Sequence, residues 1–487
     1  MTIDRWIVEN AKSAPDKIAI EYKGKALTYK DFAANIADTA ADLRARGIGH
    51  GDRVAWYGMN EPQVFVLLFA CARLGAMFVP LNWRLADDEI DHVWASAEPA
   101  AIFADEAFAE KAARLKLFAP AGRDNAAQVN DPLLIVYTSG STGVPKGVLL
   151  SQDAVAANAE MSVNAHGMVP DDTVLSVLPL FHVGGLNIMP TPAFSIGATV
   201  ILHQSFDPVE MVKALQVVQT AVMVPTVLAA VLATPEWEQA DLSSLRCLSI
   251  GATDVPVEMI AKVHARGIPM FQIYGLTETT PIAIHQTHWD CIDTIGSIGK
   301  SGTCDVRLVQ PDGTDAPTDA PGEIWVRGRN ILLGYWRNPE ATEKAVENGW
   351  FKTGDVASRD AEGNFYFQDR MKHIIISGGE NIYPAEIERI LRVHPAVREV
   401  AVVGVPDEKW GETPTAVIVA NYDETPEVVL GSLDGALARY KHPHHVVFVD
   451  TLPRNALGKV ITEAIRGLAI DAVAESANNG DAITEPG

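Results

Sequence analysis

The sequence predicts an α/β fold with a large N-terminal layered α/β domain that includes a β region, followed by a small mobile α+β C-terminal domain. Over residues 1–130, helix-like and strand-like segments alternate, which is typical of layers around a mostly parallel sheet. Residues 296–369 carry a hairpin pattern instead, and helices and strands return after residue 369. The chain has 487 residues, of which 48% are hydrophobic, so it can bury large cores in roughly two to four domains.

The N-terminal elements follow from apolar spacing and from capping residues. Thr28 is a suitable N-cap for a helix whose apolar residues recur at helical spacing, namely Phe32, Ile36, Ala40 and Leu43. The next predicted elements are a strand at 54–57, an apolar helix at 64–74 and a strand at 77–80. The middle of the chain predicts a helix at 154–164, strands at 173–178 and 199–202, and a helix at 208–218.

The last third of the chain changes character. Segments 323–327 and 364–367 alternate apolar and polar residues, and a turn at 311–313 adds to a hairpin pattern. A second unit is predicted from a helix at 384–391 and strands at 400–405 and 415–420. We therefore expect an N-terminal domain of 1–369 and a C-terminal domain of 370–487, with a tail that frays after about residue 472.

Charge and cysteine usage narrow the classes of function. The formal net charge of −23 argues against general nucleic-acid binding, because duplex binding usually requires a basic face. A phosphate site in so acidic a chain requires local cations, which Lys, Arg and Mg2+ can supply. No CxxC pair occurs among the cysteines, so neither a zinc site nor a disulfide framework is indicated for Cys71, Cys247, Cys291 and Cys304. We expect a cytoplasmic protein without a transmembrane segment.

The segment 137–147, with the sequence YTSGSTGVPKG, carries the strongest functional signal. It lies between two apolar runs that predict strands, and it combines hydroxyl side chains, glycines and one lysine. Glycines let backbone N–H groups converge on an anion, while hydroxyl and ammonium groups add donors. The segment is not a Walker P-loop, since Pro145 stands where that motif requires a glycine and Gly147 where it requires Ser or Thr. We interpret it as a nucleotide-phosphate cradle; the alternative is a flexible surface loop.

Two further motifs follow predicted strands of the N-terminal domain. His182 precedes Gly184 and Gly185, which suits a pocket wall where the two glycines leave volume that a side chain would fill. A structural histidine is the simpler interpretation of this motif alone. Segment 274–278, YGLTE, follows a strand at 270–273, and ligands bind at the carboxyl ends of such strands. The Tyr274 ring can stack on a base, the Thr277 hydroxyl can reach phosphate and the Glu278 carboxylate can hold Mg2+. The alternative is a capped helix start.

Three later motifs are weaker when taken singly. Asp355 follows a strand and a glycine; it can accept both ribose hydroxyls, or it can be a turn aspartate. A hinge beside a site of close backbone approach is indicated by three consecutive features. These are the charged residues at 369–372, an apolar strand and the pair Gly378 and Gly379. Lys459 lies on a glycine-flanked loop, where a solvated surface lysine is the default interpretation.

Together and in this order, the motifs resemble the ANL adenylate-forming superfamily, which comprises acyl-CoA synthetases, peptide-synthetase adenylation domains and luciferases. The resemblance extends from Leu27 to Lys459, and segment 137–147 is close to diagnostic. Segment 376–386, ISGGENIYPAE, looks most like the bacterial fatty-acyl-CoA and feruloyl-CoA synthetases. One departure, IGATDVP at 250–256 where relatives read Gly-Gly-Ala-Pro, leaves the acyl specificity open.

The resemblance implies a role for each candidate residue. For the nucleotide it implies a phosphate loop of Thr138, Ser139, Gly140, Ser141, Thr142, Gly143 and Lys146, adenine neighbours Gly251, Ala252, Tyr274 and Gly275, Thr277 at the α-phosphate, and Asp355 and Arg370 at the ribose. For the other ligands it implies Glu278 on Mg2+, His182, Gly184, Gly185 and Thr279 at the acyl pocket, and Gly378 and Gly379 near the pantetheine arm of coenzyme A. Lys372 is then the hinge, and the catalytic set is Lys459, Glu278, Thr138 and Lys146.

The implied activity is that of a carboxylate–CoA ligase. Such an enzyme uses ATP and Mg2+ to form acyl-AMP, here from a fatty or hydroxycinnamic-type acid, and then acyl-CoA from coenzyme A. The alternative is a stand-alone adenylation enzyme that loads a separate carrier protein. A luciferase-like oxygenase and a non-catalytic relative are further rivals, and retention of Lys459, Glu278 and Lys146 argues against the last. We expect a small carboxylic acid, ATP and CoA as partners, and no nucleic acid; a homodimer is left open.

Overall fold

The computed structural model has a mixed α/β architecture in two compact units. Unit 1 comprises Met1–Arg307, Trp325–Thr353 and Asp360–Tyr366, and unit 2 comprises Leu308–Ile324, Gly354–Arg359 and Phe367–Gly487. The described residues are 1–123, 125–139, 145–252, 255–378, 380–407, 409–422, 425–454 and 460–479, without the side chains of 139 and 476–479.

Helices and strands alternate along most of unit 1, and unit 2 adds the last three α-helices. The α-helices of the whole chain are α1 (Asp4–Ser13), α2 (Tyr29–Ala45), α3 (Pro62–Leu74), α4 (Asp87–Ala97), α5 (Ala109–Arg114), α6 (Gln152–His166), α7 (Val183–Asn187), α8 (Pro190–Ile196), α9 (Pro208–Leu215), α10 (Pro225–Leu232), α11 (Pro235–Gln239), α12 (Val257–His264), α13 (Pro339–Ala345), α14 (Pro384–Leu391), α15 (Pro426–Gly431) and α16 (Thr462–Asn479). Short 3-10 helices lie at Glu106–Phe108, Thr277–Thr279, Met371–His373 and Arg439–Lys441.

The strands are β1 (Ile18–Tyr22), β2 (Lys25–Thr28), β3 (Arg53–Tyr57), β4 (Met77–Leu81), β5 (Ala101–Ala104), β6 (Pro132–Ser139), β7 (Pro145–Ser151), β8 (Thr173–Ser176), β9 (Thr199–Leu202), β10 (Thr220–Met223), β11 (Cys247–Gly251), β12 (Met270–Gly275), β13 (Ile282–His285), β14 (Lys300–Ser301), β15 (Asp305–Val309), β16 (Gly322–Arg327), β17 (Gly334–Tyr335), β18 (Val346–Glu347), β19 (Trp350–Arg359), β20 (Phe365–Arg370), β21 (Ile375–Ser377), β22 (Glu380–Ile382), β23 (Val397–Asp407), β24 (Gly411–Ala420) and β25 (His445–Phe448).

A nine-stranded sheet in the order β14-β13-β12-β11-β10-β8-β9-β1-β2 dominates unit 1. Neighbours from β12 through β11, β10, β8 and β9 to β1 are parallel, whereas β13, β14 and β2 are added antiparallel. Parallel strands share one carboxyl edge, and ligands of open α/β sheets bind beside that edge. The loops after β8, β11 and β12 therefore leave the sheet on one side, which places His182, Gly251 and Tyr274 at a common edge.

A six-stranded sheet in the order β17-β7-β6-β4-β3-β5 is the second sheet of unit 1. Its strands β3, β4, β5 and β6 are parallel, and β6 turns back into the antiparallel β7. The two apolar runs flanking the phosphate-cradle motif are thus confirmed as strands, and they form a hairpin. One face is covered by α4, whose Ile90 and Trp94 are buried against Val79 and Ile135 of the sheet.

Unit 2 is built around a sheet in the order β22-β21-β24-β23, with β25 parallel to β24. Alternate residues of β23 face opposite sides, as the strand pleat requires. Val400 and Val402 share a core with Leu391 of α14, whereas Ala401 and Val403 share one with α16. The helix predicted at 384–391 is confirmed as α14.

Two features concern the expected limits of the second domain. Helix α16 runs from Thr462 to Asn479, with Ile465 and Ala469 fully buried and Val473 packed against the same core. The fraying expected after about residue 472 stays a prediction. The strands β15, β16 and β19 each cross from one unit to the other, so the border between 369 and 370 stays a prediction. Within the described residues, no helix is both long and apolar enough to cross a membrane.

The last residue of α6, His166, ties that helix to β11 inside the core of unit 1. Its ring is fully buried; Nδ1 donates to the Ser162 carbonyl at 2.8 Å and Nε2 accepts from the Ser249 hydroxyl at 2.8 Å. The pKa of His166 is lowered to about 3, mainly by burial and to a smaller extent by the nearby His285, His288 and Arg246. The ring is therefore neutral in the folded protein at neutral pH.

Because His166 is buried and neutral, we expect the folded protein to lose stability in mild acid. The unfolded chain takes up a proton near pH 6.5 and the folded chain only near 3, so stability falls as pH drops between these values. We expect His166→Gln to reduce the stability lost between pH 7 and 5 by about 2 kcal/mol. Urea unfolding at both pH values measures this difference. His92→Gln is the control, because His92 is exposed. If His166→Gln lost as much stability between pH 7 and 5 as the unaltered protein, His166 would not be the source of the acid sensitivity.

Candidate active site

The β6–β7 hairpin carries the phosphate-cradle motif. Its register pairs Tyr137 with Gly147 and Thr138 with Lys146, so these side chains lie on the last rungs before the turn. The candidates at 140–144 and the side chain of Ser139 lie outside the described residues. Of the predicted cradle, the structure therefore places Thr138 and Lys146 next to each other on adjacent strands.

Gly147 lets another segment approach the hairpin closely. A Cβ atom at this position would lie 2.8 Å from Ile135 Cγ2 and 3.2 Å from Trp336 Cβ, so a larger residue would displace one of them. The Trp336 N–H donates to the Gly147 carbonyl at 2.7 Å, and the Leu333 N–H donates to Leu149 at 2.8 Å. Strand β17 consequently lies against β7, the strand that carries Lys146.

The turn after β12 holds Glu278, the candidate metal ligand. The Leu332 N–H donates to the Glu278 carbonyl at 2.8 Å, and the Tyr335 hydroxyl donates to Glu278 Oε1 at 2.9 Å. The Lys146 ammonium lies 5.6 Å from the centroid of the Tyr335 ring. Burial raises the pKa of Tyr335 above its usual range, and the Glu278 charge raises it further. Lys146 and Glu278, which are far apart in sequence, thus meet at one tyrosine.

Close backbone approach explains the glycines of the predicted adenine site. A Cβ atom at Gly275 would collide with the Pro281 carbonyl oxygen, and one at Gly251 would collide with the Ile273 carbonyl oxygen. Ala252 adopts a φ of 81°, an unusual value for a residue with a side chain. Tyr274 is partly buried at the end of β12. The loops after β11 and β12 are therefore tightly constrained, whereas residues 253 and 254 lie outside the description.

The predicted acyl wall is only partly as expected. His182 precedes α7, and its ring lies 4.5 Å from that of Phe181 between centroids. A Cβ atom at Gly184 would meet only Ile188 Cδ1, at 3.9 Å. One at Gly185 would collide with the Pro179 carbonyl and lie 2.8 Å from that of Leu178. The expectation that both glycines leave open volume is wrong for Gly185, which is required by the adjacent backbone.

A buried asparagine network connects the acyl wall to the turn around Glu278. Asn158 donates to the Asn187 carbonyl at 2.6 Å and accepts from the Ile282 N–H at 3.0 Å. Asn330 donates to the Ile282 carbonyl at 2.8 Å and to that of Thr279 at 3.3 Å. All of these side chains are within 1% of complete burial. The sequence analysis did not identify these asparagines. The one feature that could have indicated them is the position of Asn158, a polar residue between alanines on a predicted helix.

In unit 2 the structure pairs the two residues predicted for the ribose. Arg370 Nε lies 3.3 Å from Asp355 Oδ1, with the aspartate buried and the arginine about half exposed. Lys372 follows in a 3-10 helix, where burial lowers its pKa and the Arg370 charge lowers it further. Gly378 has a φ of +60°, and its Cβ position would lie 2.9 Å from the Trp410 ring. Gly379 and Lys459 lie outside the described residues.

The donor chemistry around Glu278 fits Mg2+. Among the residues that the structure describes, no group of three or more His, Cys, Asp or Glu side chains could hold a metal ion. Mg2+ is commonly bound by one or two carboxylates together with substrate phosphates, not by an all-protein cage. A single oriented carboxylate facing a lysine-bearing hairpin matches that mode of binding.

Comparisons with known proteins show which enzyme family the chain resembles. The family model for AMP-binding enzyme matches residues 7–336, and the model for AMP-binding enzyme C-terminal domain matches residues 386–459. The chain is 44% identical to the indoleacetate–CoA ligase of Aromatoleum aromaticum (96% of this chain, 98% of the relative). It is 40% identical to the feruloyl-CoA synthase of an Amycolatopsis species (95% and 98%).

Solved structures of CoA synthetases are also similar to this chain. The o-succinylbenzoate CoA synthetase of Bacillus subtilis, in complex with its acyl-adenylate intermediate, superposes with a TM-score of 0.86 at 31% identity, over 95% of this chain and 97% of that one. Its complex with ATP and magnesium ion superposes with a TM-score of 0.84 at 31% identity, over 94% and 98%. The likeness thus extends over both units.

Proposed function

The chain belongs to the AMP-binding enzyme family, and we propose that the carboxylic acid it joins to coenzyme A is aromatic. It is an AMP-forming acid–thiol ligase, which makes acyl-AMP and then acyl-CoA. The observation that carries the aromatic class is the naming of its near-full-length relatives, which refers to the ring-bearing indoleacetate and feruloyl groups. A fatty acid, the other class open from the sequence, is supported by a less similar protein, the Mycobacterium tuberculosis fatty acyl CoA synthetase, which is 31% identical with a TM-score of 0.74.

Chemistry in the first step is a substitution at phosphorus. A carboxylate oxygen of the acid attacks the α-phosphorus of ATP and expels pyrophosphate, which turns a poor acyl donor into one with a good leaving group. Thr138 and Lys146 of the hairpin would hold the phosphates, and Glu278 would hold Mg2+, which would neutralise phosphate charge. Thr277 lies at the α-phosphate and Tyr274 stacks on adenine. The contribution of the chain is positioning and charge neutralisation.

The second step is attack of the CoA thiol on the acyl-adenylate, which releases AMP. We propose that residues 370–487 form a mobile domain that adopts one orientation for each step. Asp355 and Arg370 hold the ribose, which is supported by their 3.3 Å contact. Lys372 is the hinge, Lys459 acts in adenylation, and Gly378 and Gly379 flank the pantetheine arm. A reducing cytoplasm is the setting that this proposal assumes; the four cysteines of the chain are unpaired and buried.

The proposed acid class is tested by pyrophosphate release across matched acids. We expect kcat/KM for indoleacetate or ferulate to exceed that for decanoate, the straight-chain acid with the same carbon count, by at least about tenfold. Decanoate as the best of the panel would contradict the aromatic class while leaving the ligase activity intact. Replacing free CoA by a panel of carrier proteins tests the alternative of carrier loading, which predicts thioester formation only on a carrier.

Gly184 and Gly185, which both lie within α7, give a test of the acyl wall. Gly184→Leu should lower kcat/KM for the bulkiest accepted acid by about tenfold while the KM for ATP stays within about twofold. Gly185→Ala should instead lower the free energy of unfolding by about 1–3 kcal/mol, because its Cβ overlaps backbone carbonyls. Steady-state kinetics and urea unfolding measure the two effects. An unchanged acid profile with a raised ATP KM in Gly184→Leu would place the wall elsewhere.

The two half-reactions should separate by mutation. Lys459→Ala should lose acyl-AMP formation, at a cost of about 3–4 kcal/mol in the barrier, yet still convert supplied acyl-AMP and CoA to thioester. Gly379→Leu should release pyrophosphate but stall before thioester, and Lys372→Pro should likewise fail at thiol transfer. Pyrophosphate release and thioester formation from synthetic adenylate are followed separately. Equal loss of both halves in Lys459→Ala would assign that lysine a structural role.

A further inference from the structure

Tyr335 interacts with both Glu278, the candidate metal ligand, and Lys146, the candidate phosphate ligand. None of the sequence motifs includes this tyrosine. We propose that Tyr335 is a positioning residue that orients Glu278 for the metal through its hydroxyl and Lys146 for the phosphates through its ring. This inference rests on the proposed function, because it gives Glu278 and Lys146 their roles.

The two contacts of Tyr335 are of different kinds. Its hydroxyl donates to Glu278 Oε1 at 2.9 Å. Its ring centroid lies 5.6 Å from the Lys146 ammonium, within the range in which an aromatic face attracts a cation. A phenol restricts the orientation of the carboxylate yet brings no charge of its own. Glu278 therefore keeps its negative charge for a metal, and Lys146 keeps its positive charge for phosphate.

Backbone hydrogen bonds hold Tyr335 in a fixed position. Tyr335 pairs with Val148 in the antiparallel β17–β7 ladder, two residues after Lys146. Its N–H donates to Thr342 Oγ1 at 2.9 Å. The preceding Gly334 has a φ of +150°, and its Cβ position would lie 3.0 Å from the Thr342 side chain, so glycine is required there. The ring is thus carried by a segment with little freedom to shift.

The same segment is also bonded to the turn that carries Glu278. The Leu332 N–H donates to the Glu278 carbonyl at 2.8 Å, so the main chain of Glu278 is anchored a few residues from the tyrosine that holds its side chain. The main chain and the side chain of Glu278 are consequently fixed from one direction. Partners that orient a metal ligand in this way set metal affinity, and their loss commonly weakens it tenfold or more, up to about 100-fold.

Two substitutions separate the two contacts. Tyr335→Phe keeps the ring under Lys146 and removes the hydroxyl, whereas Tyr335→Leu removes both. We expect Tyr335→Phe to raise the Mg2+ concentration for half-maximal pyrophosphate release by about tenfold. Tyr335→Leu should in addition raise the KM for ATP at saturating Mg2+ by at least about threefold.

Calorimetric titration of ATP into the full chain gives a readout independent of turnover. With Mg2+ present, Tyr335→Phe should bind ATP more weakly than the unaltered protein, and with EDTA it should bind equally well. Tyr335→Leu should bind more weakly under both conditions. Glu278→Gln is the reference for losing the metal ligand, and adding Tyr335→Phe to it should cause no further loss, since both changes remove one interaction.

Tyr366→Phe is the matched control, because it removes another phenol–carboxylate hydrogen bond, that of the Tyr366 hydroxyl to Asp360 at 3.1 Å. It should leave the Mg2+ dependence unchanged. Equal Mg2+ curves and equal ATP affinities in Tyr335→Phe and the unaltered protein would overturn the proposal. A protein that binds ATP in the expected Mg2+-dependent way but activates no acid would instead overturn the proposed function alone.

Discussion

A short run of backbone hydrogen bonds through residues 332–336 joins the two large sheets of unit 1 at the candidate site. On one side it bonds to the Glu278 carbonyl after β12 of the nine-stranded sheet; on the other it pairs with β7 of the six-stranded sheet. Each sheet alone presents half of the proposed phosphate site, either the carboxylate of Glu278 or the ammonium of Lys146. Because backbone bonds are fixed in length and direction, the spacing between these halves is set by the fold and not by flexible side chains.

This arrangement also resolves an electrostatic difficulty. A chain with a formal net charge of −23 repels the polyanion that it must bind, so its few local cations must be held where they act. Lys146 lies on a paired strand and over an aromatic ring, and both restrict a long side chain that would otherwise lose conformational entropy on binding. Arg370 is constrained in another way, by the buried carboxylate of Asp355.

The sequence predicted the parts of the fold that are encoded locally. Thr28 caps α2 by accepting from the Asp31 N–H, and the strands around the cradle motif and helix α14 lie where periodicity and capping placed them. Tyr335 and His166 could not be found in this way, since their partners lie 57 and 83 residues away along the chain. Gly185 was misread for another reason, since the residues that crowd it, Leu178 and Pro179, are near in sequence. A paired glycine indicates close approach, and only the fold shows whether a ligand or the backbone approaches.

The asparagine network makes the proposed acyl wall and the proposed phosphate site mechanically dependent on each other. Asn158 links the end of α7 to the start of β13, and Asn330 holds the turn that follows Glu278. Buried amides of this kind are costly to leave unpaired, so a shift of α7 is transmitted to the turn instead of being absorbed locally. Changes of acid specificity that move α7 should therefore disturb adenylation itself. Changes that only fill space at Gly184, where the nearest atom is an Ile188 methyl group, avoid that coupling.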